Sequence, residues 1–183
     1  MKLDVWSDFQ CPYCLTYWTD VQPNIVSTFI ASGQVQLIYH DYTFIGPESL
    51  AAAVAARCAD QQGKFWEYHD LLYANQGKEN SGAFSADRLA SLASMAGLDV
   101  GTWTTCLADP AVSAADQAGT EQGKALGVDG TPTLFVNGTK VNGFDFLSIS
   151  TAIEGALTSP TPGTTSTPGR TPGTSPASAS ATP

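Results

Sequence analysis

The chain has 183 residues, enough for one domain with its own core, and is 43% hydrophobic and 14% charged. Seventeen acids against eight bases give a formal charge of −9 with no Lys/Arg cluster, which argues against nucleic acid or an anionic membrane surface as partner. No apolar run is long enough to span a bilayer.

The first predicted element is a short strand, "KLDVW". Met1 leads straight into it, and no signal peptide is visible. A natural cytosolic start and an exported chain trimmed of its signal read alike here. Next comes "SDFQCPYCLTYW", residues 7–18, which sets Cys11 and Cys14 two residues apart at the entrance to a helical pattern. Trp18, Val21, Ile25 and Phe29 recur at steps of three and four. Pro23 inside this pattern predicts a kink. "SGQ" at 32–34 ends the helix, and "VQLIYH", 35–40, reads as a second strand reached by a parallel crossover.

From about 47 to 126 the pattern is helical throughout. "GPESLAAAVAARCADQQ" starts with Pro47 and Glu48 in helix-start positions. "GKFWEYHDLLYANQ" places Phe65, Trp66, His69, Leu72 and Tyr73 at helical spacing, and that set reads as core. "SADRLASLASMAGL" closes on Gly97, and two further helices are broken at Pro110. In "TPTLFVNGTKVNG", Leu134–Val136 and Thr139–Val141 are β-type runs joined by Asn137-Gly138, a hairpin signal. A last helix is predicted over about 145–157. The layout is β-α-β, a helical insertion, then β-β-α. Residues 159–183, rich in Pro, Thr, Ser and Gly, cannot bury enough surface to offset chain entropy and read as a disordered tail behind a domain spanning 1–158.

The local physics of Cys-Pro-Tyr-Cys favours a reactive dithiol. If Cys11 caps the helix that opens at Pro12, its sulfur faces unsatisfied backbone donors and the positive end of the helix dipole. Both favour the thiolate, the attacking species in disulfide exchange. Cys14 lies one turn further in, more buried and able to bond Cys11. Cys11 then attacks or is attacked, and Cys14 resolves the mixed disulfide. A zinc site needs two more ligands, and Cys58, Cys106, His40 and His69 offer no second close pair, so no metal is expected. A purely structural Cys11–Cys14 bond closes too short a loop to stabilise much. Cys58 and Cys106 remain either as buried free thiols or as a second pair. The four cysteines allow three pairings, and an even remainder points mildly to an oxidising compartment.

The strand–CxxC–helix order resembles the thioredoxin superfamily. "GVDGTPTLFVNG" resembles its cis-proline loop, with Pro132 as the cis-proline and Thr131 before it. Taken alone, Thr131-Pro132 could equally be an ordinary turn before a strand. The tetrapeptide is shared with glutaredoxins, but a helical block between Cys14 and Pro132 is a mark of the DsbA-like family. "SDFQCPYC", "GKFWEYHDLLYANQ" and "GVDGTPTLFVNG" resemble that group over residues 3–157.

This resemblance implies an α/β thioredoxin fold with an all-helical domain inserted between the second and third strands. It implies a thiol:disulfide oxidoreductase that oxidises reduced or unfolded proteins, with Cys11 and Cys14 catalytic and Pro12, Tyr13, Thr131 and Pro132 supporting. It implies that Cys58 and Cys106 form a structural disulfide, that no cofactor is needed, and that the chain is a monomer. A reoxidising membrane partner of DsbB or VKOR type and an extracytoplasmic site, periplasm or cell envelope, follow from the same likeness. The start "DVWSDFQCPYC" is also similar to cytosolic FrnE-like members. Isomerase or reductase activity is the alternative direction, disfavoured because isomerases usually carry a separate dimerisation domain. A binding or chaperone module is the alternative class, disfavoured by the intact CxxC. One departure stands out. Many relatives carry a buried acid six positions before the first cysteine, where this chain has Val5. Asp4 is adjacent but faces the other side of the strand, and Asp8 lies nearer the dithiol as a substitute.

Overall fold

The computed structural model describes residues 1–158; the expected tail lies outside them. Four strands form one mixed sheet in the order β2-β1-β3-β4. β1 (Lys2–Ser7) pairs parallel with β2 (Gln36–Asp41) and antiparallel with β3 (Thr133–Val136), and β3 pairs antiparallel with β4 (Thr139–Lys140). The second strand begins one residue later than its apolar run. The Val35 amide is already bonded to the Phe29 carbonyl at the helix end, so the ladder starts at Gln36. At the hairpin, Asn137 and Gly138 both have positive φ, 47° and 83°, as a tight turn matched to the twist of the strands requires.

Residues 12–30 form one continuous helical stretch, but not a uniform one. α1 (Pro12–Thr16) and α2 (Gln22–Ile25) alternate with π-helical turns at Tyr17–Val21 and Val26–Ile30. Pro23 explains the first of these. It cannot donate to the preceding turn, and the chain widens just before it, with the Gln22 amide bonded to the Tyr17 carbonyl. The stretch packs Tyr17, Val21, Ile25 and Phe29 on one side of the sheet, against Leu3, Val5, Leu37 and Leu134 and against Ile149 and Ile153 of α8 (Phe146–Thr158).

Between β2 and β3 run α3 (Pro47–Asp60), α4 (Phe65–Ala74), α5 (Ala86–Met95), α6 (Val100–Leu107) and α7 (Pro110–Ala125). α3 is their hub and touches each of the other four. Its alanines explain this, since Ala52, Ala53, Ala55, Ala56 and Ala59 are wholly buried and let neighbouring backbones approach. α6 and α7 start where Asp99 and Asp109 accept the amides of Thr102 and Ala111 at 2.6 and 2.9 Å. Pro110 occupies the first turn of α7, where its missing donor is harmless.

Three devices tie the insertion together and to the sheet. Arg57 of α3 lies 3.3 Å from Asp41 at the end of β2 and 3.5 Å from Asp116 of α7. Burial pushes Asp41 up to about 8 despite that guanidinium. Gly123 of α7 meets the sheet so closely that a β-carbon there would lie 2.8 Å from the Trp6 ring. Cys58 of α3 and Cys106 of α6 are joined by a disulfide that closes 48 residues of sequence, beside the Trp103 indole that donates to the Ala55 carbonyl at 3.0 Å.

A Cys58→Ala/Cys106→Ala variant should fold, because α6 keeps its indole and cap contacts, but lose about 4 kcal/mol of unfolding free energy through the freed loop. Urea unfolding of both proteins under non-reducing conditions measures this. An unchanged midpoint would show that the bond adds nothing to the native packing.

Candidate active site

β1 ends at Ser7, and the chain turns through Asp8, Phe9 and Gln10 to reach Cys11. All four of those preceding residues are buried, unusual for a connecting loop, and the structure shows what makes this possible. One Asp8 carboxylate oxygen accepts the Gln10 amide at 2.8 Å, and the other accepts the amides of Phe44 and Ile45 at 3.1 and 3.4 Å. The Gln10 side chain donates to Ser49 Oγ at 2.9 Å and accepts the Asn80 amide at 2.6 Å. From α4's end, Gln76 donates to the carbonyls of Phe9 and Cys11 at 2.7 and 3.1 Å. The cysteine loop is therefore gripped by three polar side chains, two of them reaching the helical insertion.

Cys11 sits at the N-cap of α1 in extended conformation, with Pro12 in the first helical turn. Cys14 follows one turn later and is wholly buried, in an apolar cluster with Phe9, Tyr39, Phe65 and Tyr73. Pro12 and Tyr13 between them are exposed, and the Tyr13 ring meets Phe144 at 6.2 Å. Across the site the Thr131–Pro132 peptide bond is cis, and the Cys11 thiol donates to the Thr131 carbonyl at 3.3 Å. The structure thus gathers Cys11, Pro12, Tyr13, Cys14, Thr131 and Pro132 in one place. Cys58 and Cys106 form their own bond within the insertion.

The two sulfurs have opposite environments. Cys11 is held down at about 6, first by the Cys14 thiol, then by the Thr131 side chain and the amides of Cys14 and Tyr13, against the effect of burial. Burial drives Cys14 well above the ordinary thiol range, and the neighbouring Cys11 sulfur adds to the rise. The Thr131 hydroxyl, buried and without another partner among the described residues, faces both sulfurs. Such a pair can hold one stable thiolate at neutral pH, on the outer sulfur, with a protonated thiol poised behind it.

The chain's departure at Val5 has a structural counterpart. Val5 lies in the apolar cluster with Tyr17 and Leu134. Asp4 pairs with His40 at 2.8 Å on the other face of the strand. Asp8 has both oxygens engaged by backbone amides. The group on β1 that faces Cys14 is Ser7, two residues beyond Val5 and on the same face. Sequence reading missed Ser7, Gln10, Gln76 and Asn80. Their partners are 39 to 70 residues away, and no local pattern marks them.

Comparisons with known proteins show the family and the fold. A family model described as thioredoxin matches residues 1–154. A probable disulfide bond formation protein D from Bacillus cereus is 30% identical over 86% of this chain and 74% of its own length. A putative protein-disulfide oxidoreductase from Rickettsia bellii is 26% identical over 80% of this chain and 57% of its own. The crystal structure of oxidised BdbD from Bacillus subtilis superposes with a TM-score of 0.80 at 23% identity, covering 86% of this chain and 88% of that one. At that identity the superposition speaks for the fold.

Alkylation at mildly acidic pH should label Cys11 and spare Cys14. Cys14→Ala should raise the pH midpoint of Cys11 labelling, because it removes the strongest donor, while Cys14→Ser keeps a donor and should move it less. Mass mapping of a pH series reads this out. Labelling that survives in Cys11→Ser would reverse the assignment.

Proposed function

The chain belongs to the thioredoxin family as a DsbA-like protein disulfide oxidoreductase, and on that premise we propose that it acts as an oxidase that introduces disulfides into reduced, unfolded proteins through Cys11 and Cys14. The observation that carries this reading is the unequal pair of sulfurs, one served by donors at a helix start and the other wholly buried. In the oxidised enzyme a substrate thiolate attacks Cys11 Sγ and Cys14 departs. A second substrate thiolate then attacks the substrate sulfur of the mixed disulfide and releases Cys11 as its thiolate. The substrate leaves with a disulfide, and the enzyme keeps both electrons as its dithiol.

Substrate chain in extended form would lie along the backbone at Thr131, close to the Cys11 sulfur. The exposed Tyr13 and the Phe144 beside it offer an apolar surface at the same mouth. Pro12 keeps the first turn of α1 rigid. Regeneration needs an electron acceptor, for which a membrane protein of DsbB or VKOR type is the fitting class. An extracytoplasmic location suits this activity, and the Cys58–Cys106 bond is of the kind that persists in oxidising compartments. We expect a monomer.

Direction follows from the Cys11 anion. A thiolate held by helix-start donors is stabilised only in the reduced enzyme, which makes the disulfide the stronger oxidant. Because Cys11 is depressed from 9.0 to about 6, that stabilisation is complete above the unfolded value and is lost as pH falls through the folded one. Cys14, shifted upward, works against the fold only above the ordinary thiol value.

Thermal unfolding of the two redox forms tests this. The reduced form should melt higher, and its advantage should grow as pH rises from about 6 toward 9, the window set by Cys11. An oxidised form that melts higher at neutral pH would sink the oxidase direction in favour of a reductase.

A further inference from the structure

Resting on the reading above, Cys14 has to carry negative charge twice in each cycle. It departs when a substrate thiolate opens the disulfide, and it attacks Cys11 when the mixed disulfide with the reoxidising partner is resolved. A buried anion without hydrogen-bond partners is costly, and Cys14 is wholly buried. Cys14 shares its buried cluster with Tyr39 and Tyr73, and the Ser7 side chain of β1, itself buried beside Tyr73, bears on the Cys14 sulfur. Ser7 Oγ lies 2.7 Å from the Tyr73 hydroxyl of α4, and that hydroxyl lies 3.2 Å from the Tyr39 hydroxyl of β2. All three residues are buried. Each hydroxyl can donate and accept at once, and linked hydroxyls polarise one another in a low-dielectric interior.

We propose that the buried hydroxyl chain Ser7–Tyr73–Tyr39 stabilises the Cys14 sulfur as an anion during exchange, with Tyr39 donating to Tyr73, Tyr73 to Ser7, and Ser7 to the sulfur. In the resolving step the Cys14 sulfur attacks Cys11 Sγ, the Cys11–Cys14 bond forms, and the bond from Cys11 to the partner sulfur breaks. The partner sulfur leaves with the electron pair and ends with the proton that Cys14 gave up, so the step balances without a further base. Ser7 meets the reacting sulfur, and the two tyrosines are positioning residues that act through it. A chain of neutral donors answers the burial of Cys14 without placing a second negative charge beside a sulfur that must itself become negative.

Other titratable groups share the environment. Cys11 and Tyr17 flank Cys14 on its own helical stretch, and the Thr131 side chain faces it from the cis-proline loop. The charge of Asp8 bears on Tyr73 and that of Asp41 on Tyr39, and the buried His69 ring of α4 packs edge-on against both tyrosines at 5.0 Å. All of these are retained in the variants that follow, so the comparison isolates the hydroxyls.

The test uses the full chain with Tyr73→Phe, Ser7→Ala and Tyr39→Phe variants. Reduced protein is mixed with oxidised glutathione, samples are acid-quenched, and mass spectrometry follows the Cys11–glutathione mixed disulfide as it forms and resolves across the thiol titration range. Ser7→Ala should slow resolution about tenfold, the worth of one hydrogen bond to a charged group. Tyr73→Phe, which removes a neutral bond behind it, should slow it a few-fold, and Tyr39→Phe less. The pH midpoint of resolution should move upward in each, while formation of the mixed disulfide keeps its rate. Wild-type resolution in both Tyr73→Phe and Ser7→Ala would overturn the proposal. So would slowed resolution with an unmoved midpoint, the signature of disturbed packing. Tyr73→Phe removes a single oxygen, so it carries the test if Ser7→Ala does not fold. A wild-type protein that forms no mixed disulfide would instead overturn the oxidoreductase reading itself.

Discussion

The buried carboxylate of Asp8 is the constraint on which the site depends. It ties the amide of Gln10 to those of Phe44 and Ile45, joining the loop before Cys11 to the loop that leads into the helical insertion. A connecting loop normally stays at the surface because its amides need water. Here the carboxylate takes the place of water for the Gln10 amide and ties the loop to its neighbour through two more, so the loop can run through the interior. Removing it would leave the buried Gln10 amide unpaired, at a cost of about 1–3 kcal/mol, and would free the loop at Phe44 and Ile45 from it. Gln10 and Gln76 extend the same solution to the neighbouring segments. Cys11 is thus delivered to the edge of the core at a fixed height, its sulfur open toward Thr131 and its backbone starting a helix.

That placement makes the two cysteines unequal. They are one helical turn apart, yet the outer sulfur meets amides, a thiol and a hydroxyl, while the inner one enters an apolar cluster built from both the sheet and the insertion. Phe65 and Tyr73 of α4 supply one wall of that cluster and Tyr39 of β2 another. Without the helical insertion Cys14 would face solvent and the difference between the sulfurs would shrink. The insertion therefore belongs to the chemistry as well as to the architecture. Arg57 between two carboxylates and the Gly123 contact with Trp6 anchor that insertion to the sheet.

Much of this was legible in the chain. The apolar spacings marked the strands and most helices, Asn137-Gly138 marked the hairpin, and the fold class followed from the helical block lying between Cys14 and Pro132. The alternation of π and α turns over 12–30 was less visible. Pro23 signals trouble in a helix, but sequence does not say whether the backbone bends or widens, because that choice is made by the packing of Tyr17 and Ile25 against the sheet. The polar supports of the site were not legible at all. Gln10, Gln76 and Asn80 look like ordinary surface residues until the loops meet, and Tyr73 reads as one more aromatic of a helical face. Its ring does pack in the core, as spacing implies. Only the tertiary contact with Ser7, 66 residues away, reveals what its hydroxyl does. Asp8 drew notice as a replacement for the acid missing at Val5, but the fold engages both of its oxygens with backbone amides.

The two cysteine pairs show that burial alone does not decide what a thiol does. Cys14 and Cys58 are equally hidden, at 0% and 1% exposure, and both sit in the same apolar cluster. What separates them is the partner. Cys58 pairs with Cys106 across two packed helices, among small side chains and the Trp103 ring. Cys14 pairs with a cysteine whose sulfur is within reach of amides and of the cis-proline loop, and it has a hydroxyl chain at its back. The first bond braces two helices of the insertion. The second, when opened, leaves an outer sulfur that its surroundings favour as a thiolate. The chain can therefore keep one bond as a brace and open and close the other, with the same element in the same core.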